Sequence, residues 1–489
     1  MTTASTRAAG SRTAPATGRE HQDASGLSRW RLPLILTASF MMVLDFSIVN
    51  VALPSIQRDL RLPASLDDWV VTAYAITFGG LLVLGGRAAD LLGRRRMFVV
   101  GLGLFTLASL SGGLAWSAPV LLVSRAVQGA GGALTLPAAL SLITTTVPEG
   151  PERTRALGLY GATASVGFVA GQVLGGILVQ AITWRSVFLV NVPVGVATVV
   201  AVPLVLGRGE RARDGRGRAS GHLRRLDLRG ATLVTAAMAL LVFAVSEGVV
   251  LGWTSPWVLA AAGGAIVSFG GFLAAEAHHP QPLVRLDVFR HPGLRNGSMI
   301  ALLLGLWNGG EMLVLSLYLQ QALHQPPLLA GLVIAPQGIV GFVAAVFGPA
   351  IARRLGGSRR LLVLTGAAAA IGFLVLTQLP ARHYDAVLWA VTLVGFGTAG
   401  TAFGSIVIAS AGMPDRDQGL VGGMINTARQ MGAAVGASLL PTVAAAVGGT
   451  AETTVSVSGD RAAMATGALA AALATLIAWR RRPARVAAA

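Results

Sequence analysis

The sequence predicts an all-α membrane protein that crosses the bilayer fourteen times. Of its 489 residues, 54% are hydrophobic and only 12% are charged, and the mean hydropathy is +0.68. A soluble domain carries about 25% charged residues. One helical span needs about 20 apolar residues, and the chain contains fourteen apolar runs suited to that length.

The predicted helices follow one another with short polar connections. They begin near Leu32, Trp69, Met97, Pro119, Leu157, Val187, Gly230, Pro256, Gly297, Leu328, Leu361, Ala386, Gln418 and Ala462. Residues 1–31 are rich in Thr, Ala, Ser, Arg and Gly, which is typical of a disordered tail. Residues 481–489 form a second, short tail.

The basic residues indicate the orientation of the chain. All 38 are arginines, and 31 of them fall in segments that are cytoplasmic if the N-terminus is inside, against five outside. This asymmetry is the positive-inside bias, so it predicts a multi-pass protein with both termini cytoplasmic and no nucleic-acid partner. The use of arginine without lysine, in a chain rich in Ala and Gly, is typical of a high-G+C bacterial genome, so the membrane we expect is the bacterial cytoplasmic membrane. The absence of cysteine excludes disulfides and thiolate catalysis.

Two arginine-rich turns indicate an internal duplication. One runs from Gly86 to Arg96 after the second predicted helix, and a degraded copy runs from Gly348 to Arg360 after the tenth. A plain duplication of six helices would place six spans between the copies, whereas eight are present. We therefore predict a six-helix half at 32–206, a basic cytoplasmic linker at 207–229, two inserted helices at 230–276 and a second six-helix half at 277–480.

Asp45 lies in the middle of the first apolar run, where a carboxylate is costly. On insertion scales an ionisable group at that depth costs about 2.5–3.5 kcal/mol, and it normally faces a cavity or a partner charge. A carboxyl whose surroundings change can bind and release a proton, so Asp45 is a candidate for proton coupling. The alternative is a structural aspartate that accepts hydrogen bonds from Ser47, Asn50 or an arginine.

Five strings of residues point to a family when they are taken together. They are Leu44–Pro54, Gly86–Arg96, Leu122–Gly131, Trp184–Gly195 and Asn426–Gly432. In this order and topology they resemble signatures of the major facilitator superfamily, and specifically of its fourteen-helix drug:proton antiporter branch. The resemblance covers about Leu32 to Arg480. It implies two six-helix halves around a central cavity, with two additional helices inserted between them.

The resemblance gives Arg125, in the fourth predicted helix, a part in proton coupling. Arginine cannot practically lose its charge, so it needs an anion, backbone carbonyls or cavity water. We expect it to tune a carboxylate such as Asp45. The alternative is a purely structural network that holds helix ends together.

The same resemblance predicts a conformational latch in the first arginine-rich turn. The Asp90 carboxylate would lie near the start of the thirteenth helix, which follows Pro414-Asp415-Arg416, because an anion is stabilised at a helix N-terminus. The alternative is ordinary charge that only sets topology. The residues assigned to this latch are Gly86, Asp90, Gly93 and Arg94.

The fifth predicted helix carries Gly167, Gly171 and Gly175 at spacings of four, which predicts one bare face and close helix packing. In antiporters of the superfamily a related stretch reads Gly-Pro followed two residues later by Gly-Gly. Here Gln172 stands in place of the proline. The change removes a residue that kinks helices and adds a polar group, and glycine packing alone is the plainer interpretation.

Glu311 is a second carboxylate in an apolar run, in the first helix of the second half. Three hypotheses stay open for it. In the first, Glu311 and Trp307 bind lipophilic cations, through the negative charge and the aromatic face. In the second, Glu311 is a second proton site. In the third, Glu311 pairs with Arg429 and closes the cavity.

The resemblance, together with the buried charges, implies export of hydrophobic or amphipathic small molecules, such as an antibiotic, dye or toxic metabolite, in exchange for protons by alternating access. We expect a monomer without cofactor or metal, powered by the proton motive force. The sequence contains no Walker loop and no recognisable catalytic set, so we do not expect an enzyme. Two alternatives are a metabolite or amino-acid exporter or uniporter without proton coupling, and a membrane sensor that does not transport.

Overall fold

The structure is a computed structural model that describes residues 30–62, 69–147, 151–205, 227–279, 286–378, 384–411, 413, 418–448 and 457–480. Over these ranges the regular structure is helical throughout, and no strand occurs in them. The predicted tails, apart from Trp30 and Arg31, and most of the predicted linker at 207–229 lie outside the described residues.

Fourteen long helices, numbered α1 to α14, make up the described chain. They are Arg31–Leu60, Trp69–Leu92, Arg94–Gly113, Ala118–Thr146, Pro151–Ala181, Ser186–Val205, Leu228–Val250, Pro256–His278, Pro292–Leu317, Pro327–Arg354, Ser358–Thr377, Tyr384–Ser410, Gln418–Gly448 and Val457–Arg480. A one-residue break at Val190 interrupts α6. A short 3₁₀ helix, Leu286–Arg290, precedes α9, and a π-helical turn, Tyr318–Ala322, extends it.

All fourteen are long and apolar enough to cross a membrane, which confirms the predicted fold class. The starts of α2, α8 and α13 coincide with the predicted residues. The largest difference is at α5, which was expected near Leu157 and begins at Pro151. Its first turn carries Glu152 and Arg153, so it is helical without being part of the apolar run.

Glycines with positive φ begin the helices that follow the two arginine-rich turns. Gly93 precedes α3 with φ 99°, and Gly357 precedes α11 with φ 131°. Side chains are strained in this region of φ, whereas glycine is not. The equivalent backbone at the two turns is what a duplicated half would produce.

The inserted helices α7 and α8 pack on each other at the edge of the molecule. On its other face α7 bridges the two halves, because Met238 and Val242 contact Ala75 and Ile76 of α2 and Ala434 of α13. The inserted pair therefore covers one seam between the halves. Across the opposite seam α5 packs directly on α10.

The two halves are joined by hydrogen bonds on one side of the molecule. We call this the distal side, on which α1 ends, and the side on which α1 begins is the proximal side. Ser316 donates to the Asn50 carbonyl at 2.9 Å and Gln320 to the Val51 carbonyl at 3.1 Å. Beside them the Gln321 amide donates to Gln57 Oε1 at 2.7 Å.

Helices α9 and α13 approach each other through glycines on both helices. A Cβ atom at Gly310 would lie 2.7 Å from the Leu440 side chain, and one at Gly436 would overlap the Leu306 carbonyl. Small residues let helices pack closely in membranes, where van der Waals contact drives association. This pair forms the centre of the second half.

We expect Gly436→Val to lower the free energy of unfolding by about 1–3 kcal/mol, the usual cost of overpacking. The measurement is thermal unfolding of the purified full chain in detergent. Gly263→Val is the matched control, because a Cβ atom at Gly263 of α8 meets nothing within 4 Å. Equal melting temperatures for the two variants would contradict the prediction.

Candidate functional site

Asp45 and Arg125 meet in the interior of the first half. Arg125 Nη1 lies 2.7 Å from Asp45 Oδ2, and both side chains are 0% exposed. Arg125 Nε also donates to the Val70 carbonyl of α2 at 2.9 Å. An ion pair this well buried needs further hydrogen bonds to offset the loss of hydration.

Two amides supply those bonds. Asn191 Nδ2 donates to Asp45 Oδ1 at 2.7 Å, and Gln128 Nε2 donates to the same oxygen at 3.1 Å. Gln128 also accepts from Arg125 Nη1 at 3.0 Å and donates to Ser109 Oγ at 2.8 Å. These five residues, from α1, α3, α4 and α6, are called the Asp45 cluster below.

Aromatic rings cover the guanidinium. The Arg125 Cζ atom lies 4.6 Å from the centre of the Tyr74 ring and 5.9 Å from that of Phe188. The Tyr74 ring is itself stacked on Phe78 at 5.6 Å. Cation–π attraction is stronger when the charge is desolvated, so the rings stabilise a charge that water does not reach.

The contacts to Asp45 suit an anion, because all three side-chain contacts to its oxygens come from N–H donors. Arg125 Nη2 is buried, and no described residue forms a hydrogen bond with it. A proton on Asp45 would cancel the attraction to Arg125 and add a donor where donors already converge. Asn191 Oδ1 is buried without a hydrogen-bond partner among the described residues. A turn of that amide would bring this acceptor to a protonated Asp45. The geometry can therefore serve both protonation states.

We expect Asn191→Ala to destabilise the protein by about 1.5–3 kcal/mol, the range for a hydrogen bond to a charged group. In an Asp45→Asn background the acceptor is neutral, so the same change should cost about 1 kcal/mol. A double-mutant cycle on unfolding in detergent measures the difference. Strictly additive costs would show that Asn191 does not respond to the charge of Asp45.

Glu311, Trp307 and Arg429 do not form one site. Glu311 is 0% exposed, and its Oε2 accepts from Gln337 Nε2 of α10 at 3.1 Å. Trp307 is also fully buried and donates to Thr398 Oγ1 at 3.2 Å. The Arg429 side chain is exposed and donates to Asn426 Oδ1, one turn away on its own helix. Among the described residues no ion pair joins Arg429 to Glu311.

The glycines of α5 face α1. A Cβ atom at Gly171 would lie 2.8 Å from the Leu44 carbonyl, and equivalent atoms at Gly167 and Gly175 would lie 3.0 Å from atoms of α1. Gln172 is fully buried, and its Nε2 lies 3.4 Å from the Ser47 carbonyl. Its backbone lies against Gly331 of α10. Gln172 therefore stands where α1, α5 and the second half meet.

Asp90 and Arg94 form an exposed ion pair at 3.6 Å in the first arginine-rich turn. Gly86 lies against Pro137 of α4. Asp90 was predicted to lie near the start of α13, and residues 414–417, which lead into that helix, lie outside the described residues, so the latch stays a prediction. Exposed pairs of this kind add little to stability.

Sequence reasoning did not single out Gln128, Asn191, Tyr74 or Gln337. Gln128 follows Arg125 by three positions, so a polar pair on one helix face was readable. Asn191 is a polar residue inside the string Trp184–Gly195. Tyr74 and Gln337 lie in helices that gave no local signal.

Comparison with known proteins identifies the fold and the family. The family model of the Major Facilitator Superfamily matches residues 35–437. The cephamycin export protein CmcT of Amycolatopsis lactamdurans is 38% identical over 440 residues, which cover 88% of each chain. The puromycin resistance protein pur8 of Streptomyces alboniger is 37% identical over 85% of this chain and 81% of its own.

Solved structures show the same fold at low identity. The crystal structure of an auto inhibited POT family peptide transporter has a TM-score of 0.67 and 15% identity, and covers 94% of this chain and 98% of its own. Likeness at this identity concerns the fold alone. With fourteen apolar helices, the protein is embedded in a membrane, and the chain belongs to the Major Facilitator Superfamily.

Proposed function

We propose that the protein exports hydrophobic or amphipathic small molecules, such as antibiotics, across the bacterial cytoplasmic membrane in exchange for protons. Relatives that are aligned over more than four fifths of both chains carry the names of antibiotic export and resistance proteins. The single observation that carries the proton part is the Asp45 cluster, a fully buried carboxylate held by one arginine and two amides.

Proton binding at Asp45 can be coupled to movement of the halves because Asp45 lies on α1, which contacts the second half. When Asp45 binds a proton, the charge that holds Arg125 is lost and the contact between α1 and α4 weakens. The same α1 accepts the distal hydrogen bonds from the second half at Asn50 and Val51. A change at Asp45 can thus alter the contact between halves, which rock around a central site in alternating access.

The distribution of arginines indicates which side of the protein faces the cytoplasm. The excess of arginines in segments on the proximal side supports a cytoplasmic location for that side and for both termini. The halves would then be joined on the outer side, with the space between them open to the cytoplasm.

The test is transport by the purified chain in proteoliposomes, with puromycin and a cephamycin as the substrates that the relatives suggest. A pH gradient should drive accumulation, and substrate addition should move protons, which a trapped pH dye reports. Saturable transport that only equilibrates the substrate and moves no protons would favour the uncoupled exporter or uniporter. Binding without saturable transport would favour the sensor. Protein-free vesicles correct for passive partition of the weakly basic or acidic probe.

A further inference from the structure

We infer that Glu311 is a second proton-binding site, which carries a proton in this conformation while Asp45 carries none. The inference rests on the proposed function and deepens it, since it makes export a two-proton process. Of the three hypotheses that the sequence left open for Glu311, the inference selects the proton site. Three observations support the inference: the position of Glu311, its hydrogen bonds and a small cavity on the same face of α9.

Glu311 lies at the same distance from the contact between α1 and α9 as Asp45 does, on the first helix of the other half. Helices α1 and α9 are the first helices of the two halves and cross where Ser316 donates to the Asn50 carbonyl. Asp45 precedes Asn50 by five residues, and Glu311 precedes Ser316 by five. At about 1.5 Å of rise per residue, each carboxyl lies one and a half turns from the crossing. Two acids at matching depth are what a duplicated proton site would leave.

The surroundings of the two carboxyls differ in charge. Asp45 has Arg125 at 2.7 Å, whereas Glu311 has no cation within 4 Å among the described residues. An unpaired carboxylate away from water costs several kcal/mol, and a proton removes that cost. The other charged and titratable residues on α9 and on the elements packed against it are Arg31, Asp45, Arg58, Asp59, Asp287, Arg290, Arg295, Tyr318, Arg353, Arg354, Tyr384, Asp385, Arg429, Asp460, Arg461 and Arg480.

The hydrogen bonds also call for a proton. Gln337 Nε2 donates to Glu311 Oε2 at 3.1 Å, while Glu311 Oε1 and Gln337 Oε1 are both buried and find no hydrogen-bond partner within the described part of the chain. Two acceptors cannot satisfy each other. A proton on Glu311 Oε1 supplies a donor for Gln337 Oε1, so the acid and the amide would form a cyclic pair. One proton thereby removes two buried unsatisfied atoms, which native proteins rarely tolerate.

The position of Glu311 does not suit a substrate anchor. The helical repeat places it on the face of α9 that carries Leu304, Trp307 and Leu315, and these three belong to the apolar core of the second half. All three are at most 1% exposed. A drug-sized cation has no room beside the carboxyl, whereas a proton needs none.

The same face of α9 leads to a small cavity. Leu315 and Tyr318, one and two turns beyond Glu311 toward the distal side, line a space of about 20 Å³ with Asp460 of α14, enough for about one water molecule. Asp460 is 7% exposed, and its Oδ2 is buried without a hydrogen-bond partner in the described chain. We assign this space as the route by which a proton passes between distal water and Glu311. The proton enters from the distal side when the halves have exchanged orientation, and it leaves to the proximal side in the conformation described here.

Infrared difference spectroscopy of the purified full chain tests the protonation directly. In the absence of substrate, the wild-type minus Glu311→Gln spectrum should contain the C=O band of a protonated carboxylic acid, shifted in D₂O. The matched variant Asp45→Asn should lose a carboxylate band and no acid band. A Glu311→Gln spectrum that retains the whole acid band would overturn the inference even if the variant does not transport.

Transport gives the second measurement. Each coupled proton supports about a tenfold substrate gradient per pH unit when the membrane potential is clamped at zero. Wild type should hold about a hundredfold gradient of puromycin and Glu311→Gln about tenfold, with Glu247→Gln as the control at a carboxyl of α7. A hundredfold gradient in Glu311→Gln would refute the second proton. A wild type that holds no gradient would instead refute the proposed function.

Discussion

Asp45→Asn is expected to abolish accumulation driven by a pH gradient while the protein still binds puromycin. Asparagine is close to aspartic acid in shape but carries neither charge nor exchangeable acid proton, so the variant resembles a permanently neutral Asp45. Position 45 can then release no proton and cannot regain the charge that holds Arg125, so the cycle stops even though Glu311 still binds a proton. Proteoliposome transport and a separate binding titration measure the two properties.

The same substitution should lower the free energy of unfolding by about 3–5 kcal/mol, because it leaves Arg125 buried without its anion. Replacing both partners, as in Asp45→Asn with Arg125→Met, should recover most of that stability without restoring transport. A double variant that is stable but does not transport would show that the loss of transport is not caused by unfolding. Gradient-driven accumulation in a folded Asp45→Asn protein would exclude Asp45 as the coupling carboxyl.

The fold could be predicted almost completely because a membrane span has a strong signature. Twenty apolar residues in a row have few other structures available to them, and the helix starts at Trp69, Pro256 and Gln418 were accordingly predicted to the residue. The start of α5 was displaced because its first turn, with Glu152 and Arg153, extends beyond the apolar run. Helix ends outside the hydrocarbon region leave no such signal.

The site could be predicted only where a residue was anomalous on its own. Asp45 and Arg125 are charges in apolar runs, so each was visible alone, but their contact joins residues 80 positions apart. Asn191 and Gln337 are neutral amides, and single polar residues are common in spans. Their importance depends on which carboxyl they reach, which tertiary packing decides.

The contacts between the halves were invisible for a different reason. Ser316 and Gln320 donate to backbone carbonyls of α1, and every residue of a helix has a carbonyl. Gln57 and Gln321 lie near the distal end of their helices, where polar residues need no explanation. A sequence can show that two halves exist without showing the side on which they meet.

Cross-linking position 57 to position 321 is expected to stop export completely. The Gln57 and Gln321 side chains meet at 2.7 Å across the two halves on the distal side, and alternating access requires this contact to open. The chain contains no cysteine, so Gln57→Cys with Gln321→Cys introduces the only two thiols. A short bifunctional thiol reagent with a reducible spacer should reduce proteoliposome transport to background, and a reductant should restore it.

Asp59→Cys with Arg185→Cys is the matched control for this experiment. These two side chains also meet on the distal side, at 2.7 Å, and both are partly exposed, but both belong to the first half. An exposed ion pair contributes at most about 1 kcal/mol, so the substitutions themselves should be tolerated. A cross-link within one rigid half should leave transport unchanged. If both cross-links were harmless, the distal contact would not open during transport, and the halves would have to exchange substrate by another motion.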